Sequence, residues 1–188
     1  MPSGIRTWGT LAAALLVAGG IARAQSTVVD GGLALALPAA LPTGLSSGVV
    51  AGAGRDHGLF AWGVRASWTR AIEDTASWRV RHADLSLLGT GALQAVAGRG
   101  TFALRLGAGA TLVHETRRRH QGDRAGLTGD ELQTTAWRLL PAAALEGAVA
   151  LRLAGPWVLV VSGGPSIHLL DGGVHGGWAA GLEIAWRL

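Results

Sequence analysis

The side chains able to do chemistry in this 188-residue chain are carboxylates, arginines, six histidines and a few hydroxyls; Cys and Tyr are absent, and all 16 basic residues are Arg. Lack of Cys excludes a disulfide scaffold, a thiolate metal centre and a lipid-modified N-terminal cysteine. Serine catalysis needs a base within hydrogen-bond reach. Ser166 and His168 stand two apart, and His114 has no Ser partner, so no such pair can be assembled. The histidines, including that of Asp56-His57 and that of segment 171–175, do not follow metal-ligand spacing. The glycines follow strands and turns, not a phosphate-cradling junction between strand and helix. No catalytic, cofactor-binding or metal-binding residue is assigned.

Charge alone points to no partner. The net charge is +4, and the sequence pI of 11.4 is inflated by the absence of Lys, Tyr and Cys. Nucleic-acid binding has no support beyond the arginine count. What the charged residues can do depends on the faces they occupy, and hence on the elements that carry them.

Residues 1–24 read as a secretory signal peptide: Arg6, an eleven-residue apolar run from Leu11 to Ile21, and Ala22-Arg23-Ala24 before Gln25. Removing Arg6 and Arg23 leaves 14 Arg against 12 acids, a net charge of +2. The apolar run is shorter than the roughly 20 residues of a spanning helix, and no later segment reaches that length. Charged residues make up only 15% of the chain, against about a quarter in soluble domains. A membrane protein without spanning helices must be a closed barrel, because lipid offers no partner to unpaired backbone groups.

From residue 26 onward the apolar residues alternate with period two, the mark of strands. The clearest stretch, residues 101–117, sets Phe102, Leu104, Leu106 and Leu112 against Thr101, Arg105, Thr111 and Glu115. Segments 134–153, 157–170 and 177–188 alternate likewise, as do 27–37, 59–70 and 78–97 with less clarity; 48–55 is too bland to assign a face. Tight connections at 56–58, 98–100 and 154–156 alternate with longer ones at 38–47, 71–77, 118–133 and 171–176. The expectation is an all-β fold, a single up-and-down antiparallel eight-stranded transmembrane β-barrel over residues 25–188, with short periplasmic turns and longer outer loops.

Alternation alone does not distinguish this from an exported soluble, lipocalin-like ligand-binding barrel. Two features favour lipid on the oily face. The polar face carries few charges, and five acids balance five bases: Asp30, Asp84, Glu115, Glu146 and Glu183 against Arg65, Arg105, Arg138, Arg152 and Arg187. Enclosed charges need partners, so these form an expected interior network. Pairing Thr116 with Thr135 sets Arg105 opposite Glu146, a structural plug or, alternatively, the gate of a narrow pore. The aromatics form two expected girdles, Phe60, Trp62, Phe102, Trp157 and Trp186 at one end and Trp68, Trp78, Trp137 and Trp178 at the other. Trp178 and Trp186, eight residues apart, span roughly 20 Å on a tilted strand, close to the apolar band of such barrels. Arg79, Arg81, His114 and Arg118 then face outward near the outer girdle, where Arg suits phosphate. The mixed-charge run from Arg117 to Glu131 reads as a solvated loop.

With a leader, four up-down hairpins and a last strand ending Leu-Glu-Ile-Ala-Trp-Arg-Leu, the chain resembles the small eight-stranded bacterial outer-membrane β-barrel proteins. The insertion signal of that family usually ends in Phe, and Leu188 departs from it. The resemblance implies a structural, adhesive or lipid-binding role without catalysis or cofactor, outer-membrane lipid and lipopolysaccharide as partners, and assembly by the outer-membrane machinery. The rival it implies is a lipid A-modifying barrel enzyme.

Overall fold

A computed structural model describes residues 26–37, 45–120, 132–170 and 173–188. The expected leader lies outside the described residues, as does most of the 117–131 run. Eight strands follow in chain order: β1 (Ser26–Leu37), β2 (Ser46–Asp56), β3 (Phe60–Asp74), β4 (Trp78–Ala97), β5 (Gly100–Arg119), β6 (Gln133–Arg152), β7 (Trp157–Leu170) and β8 (Gly173–Arg187). Each pairs antiparallel with its neighbours, and β1 also pairs with β8, so the sheet closes as an up-and-down barrel without an edge.

The three tight turns cluster at one end, the turn end. Gly58, Gly98 and Gly155 each hold a positive φ there, a conformation that costs a side-chain-bearing residue. The opposite, loop end is ragged because the strands differ in length. β1 and β2 have 12 and 11 residues, whereas β4, β5 and β6 have 20 each. About 9–11 tilted residues cross a bilayer, so the β4–β6 sheet outruns that thickness at its loop end.

This length corrects two expected loops. β3 continues to Asp74, paired with Arg79, so residues 71–77 shrink to a three-residue connection. β8 begins at Gly173, and His168 pairs with His175, so most of 171–176 is strand. In both places the loop-like composition is short and mixed, with one outward apolar residue each, Ile72 and Val174, too few for an alternating pattern. Arg117, Arg118 and Arg119 likewise lie on β5.

Burial alternates with residue parity along each strand. Leu33, Leu87, Leu106, Leu139 and Leu182 are exposed, and buried residues are chiefly small or polar, including Thr111, Ser162 and Glu183. Thus the oily side faces out and the polar side faces in. A contiguous apolar exterior of this extent suits hydrocarbon, not water, and is the inverse of a soluble ligand-binding barrel. On β2, Val49 points out and Val50 in, which fixes the face the sequence left open. The interior is divided. A small apolar cluster of Ala148, Val158, Val160 and Ala185 fills the turn half, above which lies a layer of charges.

Candidate functional site

The charged layer sits on inward positions of β1, β3, β5, β6 and β8. Arg65 donates two hydrogen bonds to Glu183, Nη1 to Oε2 and Nη2 to Oε1, both 2.7 Å. Ser162 Oγ donates to Glu183 Oε1 at 3.1 Å, while Arg65 Nε lies 3.9 Å from Glu146. Glu146 also accepts from Arg105 Nη1 at 3.0 Å, across the β5–β6 register that pairs Thr116 with Thr135. Charges out of water keep their ionisation only when paired this closely. Gly181 makes the room: a Cβ there would lie 2.9 Å from Glu183 Oε1 and 3.2 Å from Arg65 Nη2. Asp30 enters from β1, opposite Gly52, whose missing side chain leaves space for its carboxylate.

The layer separates two cavities of about 130 Å³ and 100 Å³, toward the turn end and the loop end respectively. Arg65 lines both cavities, so the charged layer lies across the lumen between them.

Other residues expected in the network take different places. His82 Nε2 lies 2.8 Å from Asp84, and His82 Nδ1 lies 3.9 Å from Glu115, making a separate group toward the loop end. Glu115 also accepts from exposed Arg117 at 2.6 Å. Arg187 pairs with Asp56 at 3.3 Å at the turn end. Arg138 and Arg152 correct the expectation: both have inward parity, yet both are exposed, Arg138 on the stretch of β6 that outruns its pairing with β7 and Arg152 as the last residue of the strand. Asp56 was missed. It is buried, and accepts from Gly58 N at 2.9 Å, from Gln94 Nε2 at 2.5 Å and from Arg187. The signal was available in Asp56-His57-Gly58, since an Asp two residues before a turn glycine commonly accepts from its amide.

Phe60, Trp62, Trp68, Phe102, Trp137, Trp157, Trp178 and Trp186 all point outward and are exposed. Trp78 does not belong with them. It shares the inward side of β4 with His82 and Asp84, and Arg119 lies 5.1 Å over its ring. Its parity was legible in the sequence, since the oily positions of this strand are Leu85, Leu87 and Leu93.

Outside, the extended β4–β6 sheet orders its side chains in rows. Register puts Leu85, Leu112 and Leu139 side by side; next outward come Ala83, His114 and Trp137, then Arg81, Thr116 and Thr135, then Arg79, Arg118 and Gln133. Strands about 4.8 Å apart make these neighbours a continuous surface, oily at its base and basic at its top. His114 stacks on Trp137, with centroids 4.1 Å apart, and marks the changeover. Arg79 donates from Nε and Nη2 to Asp74 at 2.7 and 3.0 Å. That guanidinium holds the Asp74 carboxyl below the ordinary carboxylate range. Arg81 and Arg118 have no ion pair among the described residues. They border a groove of about 410 Å³ with Arg79, Thr116, Arg119, His120 and Gln133.

Ser166 and His168 line the loop-side cavity with Asp84, and no hydrogen bond joins them among the described residues. Nor do three His or acidic residues there gather as metal ligands.

An all-β, eight-stranded, up-and-down ring with an oily exterior and a charged interior layer defines the small outer-membrane barrel fold. Among solved structures the chain is similar to Ail, the attachment invasion locus protein of Yersinia pestis, with 13% identity, 88% of this chain and 100% of that chain covered and a TM-score of 0.57. Ail in complex with the heparin analogue sucrose octasulfate gives 12% identity over the same shares and a TM-score of 0.53. Neisserial surface protein A gives 11% identity, 88% of this chain and 99% of that chain covered, and a TM-score of 0.54. No protein-family model and no curated protein matches the sequence.

Proposed function

We propose that the chain, freed of residues 1–24, is an integral protein of a bacterial outer membrane, with its turn end in the periplasm. Its β4–β6 face holds the phosphate groups of lipopolysaccharide, and the barrel performs no catalysis of its own. The observation that carries this reading is the row order on β4–β6. Leucines, then His114 and Trp137, then Arg81 and Arg118 follow the sequence of acyl chain, interface and phosphate that a lipopolysaccharide leaflet presents. Two guanidinium groups without carboxylate partners, beside a lipid-facing surface, are suited to paired hydrogen bonds with phosphate oxygens.

The test is lipopolysaccharide retained by the purified barrel. The wild-type chain keeps it through washing, and Arg81→Gln with Arg118→Gln loses most of it while still migrating as a folded, heat-modifiable barrel. Equal retention by both proteins removes the reading. A second reading has one support: the similar Ail chain was captured with a heparin analogue, and the same arginines here could receive sulfate esters of a host glycan. Heparin displacing lipopolysaccharide from the wild-type protein would favour it.

A further inference from the structure

The turn end holds a basic site distinct from the rim. Arg99 lies in the β4–β5 turn, Arg152 ends β6 and Arg187 ends β8. Backbone hydrogen bonds hold their segments together: Arg152 N donates to Arg99 O, and Arg187 N donates to Pro156 O, both 3.0 Å. All three arginines border one depression of about 10 Å³, floored by Thr101, Ala150 and Val158. That volume seats a single water-sized group.

Charge at this end is unbalanced. Among the described residues the side-chain carboxylate present is Asp56, which is buried and already accepts from Arg187, Gln94 and Gly58. Arg99 and Arg152 are exposed, and neither has an ion pair among the described residues. Outward-facing Phe102, Trp157 and Trp186 stand two residues from Gly100, next to Val158 opposite Arg152, and next to Arg187 respectively, with Trp157 and Trp186 packed edge to face at 4.5 Å. Aromatic rings of this kind settle at the boundary of hydrocarbon and headgroups, which puts the arginines at the depth of phospholipid phosphate, with Arg152 and Arg187 on the lumen side of the barrel's mouth.

We infer that Arg99, Arg152 and Arg187 form a phosphate-binding site at the turn end, one phosphate oxygen seated in the depression and the others held by Arg99 and Arg152. The phosphate belongs to a phospholipid headgroup of the adjacent leaflet or to free inorganic phosphate. Arginine is suited to either, because its planar fork matches two oxygens of one phosphate. Arg187 is positioned by Asp56 and supplies charge at the back of the site.

The test uses the complete mature barrel in a neutral detergent and in nanodiscs. In detergent, inorganic phosphate raises the unfolding temperature of the wild-type chain above that in sodium chloride of equal ionic strength. Arg99→Gln weakens the apparent phosphate affinity about tenfold, the loss of one charge-assisted hydrogen bond. In nanodiscs mixing phosphatidylglycerol with phosphatidylcholine, the wild-type barrel retains phosphatidylglycerol after extraction, and Arg99→Gln with Arg152→Gln retains less. A response to inorganic phosphate alone assigns the site to the free ion; retention of phosphatidylglycerol alone assigns it to the headgroup. Wild type and variants behaving alike in both arms overturns the site. Arg81→Gln with Arg118→Gln serves as a second background: the part of each readout lost with Arg99 and Arg152 is the same whether or not the rim arginines are present, so loss of the rim reading does not carry this one with it. Should the double variant fail to fold, Arg99→Gln alone carries both arms, since its side chain projects from a turn.

Discussion

Arginine serves opposite ends at mid-barrel and on the loop-end rim. At mid-barrel Arg65 directs both terminal nitrogens to Glu183, in a space Gly181 leaves open, so its charge is met within the fold. On the rim, Arg81 and Arg118 stand on the same kind of strand with no carboxylate partner among the described residues. Residue type and strand register are alike in the two places. Parity and depth together decide the difference: an inward position at mid-barrel must satisfy its charge within the fold, while an outward one, or one at the barrel's mouth, is free to satisfy it on a ligand. The first kind of site is coupled to stability and the second to binding, and substitutions should separate them.

The largest expected effect is at mid-barrel. Arg65→Ala strands Glu183 without its main partner, while Glu146 keeps Arg105, and removing one member of a buried pair costs about 3–5 kcal/mol. The urea midpoint of the refolded barrel falls accordingly, and the fraction running as the compact, unboiled form drops. Replacing the pair together, Arg65→Met with Glu183→Leu, costs far less, because no uncompensated charge remains. Equal losses in both variants would mean that the layer acts by shape and not by charge.

Next in size is Gly181→Val. Its side chain would meet Glu183 and Arg65, the two groups whose contact centres the charged layer. Overpacking of this kind costs about 1–3 kcal/mol. The same change at Gly91, where nothing lies within 4 Å of an added Cβ, should leave the midpoint nearly unmoved. A penalty of similar size at both positions would deny Gly181 its particular role.

Binding substitutions follow, with the opposite signature. Arg81→Gln lowers lipopolysaccharide retention about tenfold, the equivalent of one charge-assisted hydrogen bond, and leaves the urea midpoint within error of wild type. A fall in stability comparable to that of Arg65→Ala would place Arg81 among the structural charges.

The strand count, the antiparallel order and the inward or outward sense of most side chains were legible because period two is a strong signal wherever one face is oily. The Arg105–Glu146 pair was legible too, since one assumed cross-strand pair, Thr116 with Thr135, sets the register of a whole hairpin. Legibility failed where that oily signal stops. Residues 71–74 and 173–176 are strand at the loop end, where a single outward apolar residue each, Ile72 and Val174, is too short a period-two trace to tell strand from loop. Arg138 and Arg152 have the right parity, but parity does not say how far the enclosing wall extends. Arg65 meeting Glu183 depends on curvature across the lumen, which joins β3 to β8 by a contact 118 residues apart. No local pattern encodes such a distance. Trp78 is the opposite case, since its parity was readable and the attraction of a girdle position overrode it.

The smallest expected effect concerns Asp74 and Arg79, the rim pair that imitates the mid-barrel one. Both are exposed at the tip of the β3–β4 hairpin, so their contact contributes little to global stability. Its trace is in titration. The hydrogen bond from Arg79 favours the charged carboxylate, and so the Asp74 pKa lies below its usual value of 3.8. For a depressed acid, the stabilising contribution is fully present above the ordinary value and is lost as pH falls through the lowered one. A carboxyl-carbon NMR titration should give Asp74 a midpoint below 3.8 that rises toward it in Arg79→Gln. An unchanged midpoint would show that the two groups do not meet in solution. At neutral pH the bond is intact, and Arg79 is held away from phosphate. Arg79→Gln should therefore cost less lipopolysaccharide retention than Arg81→Gln, while Asp74→Asn, which releases Arg79, should raise it.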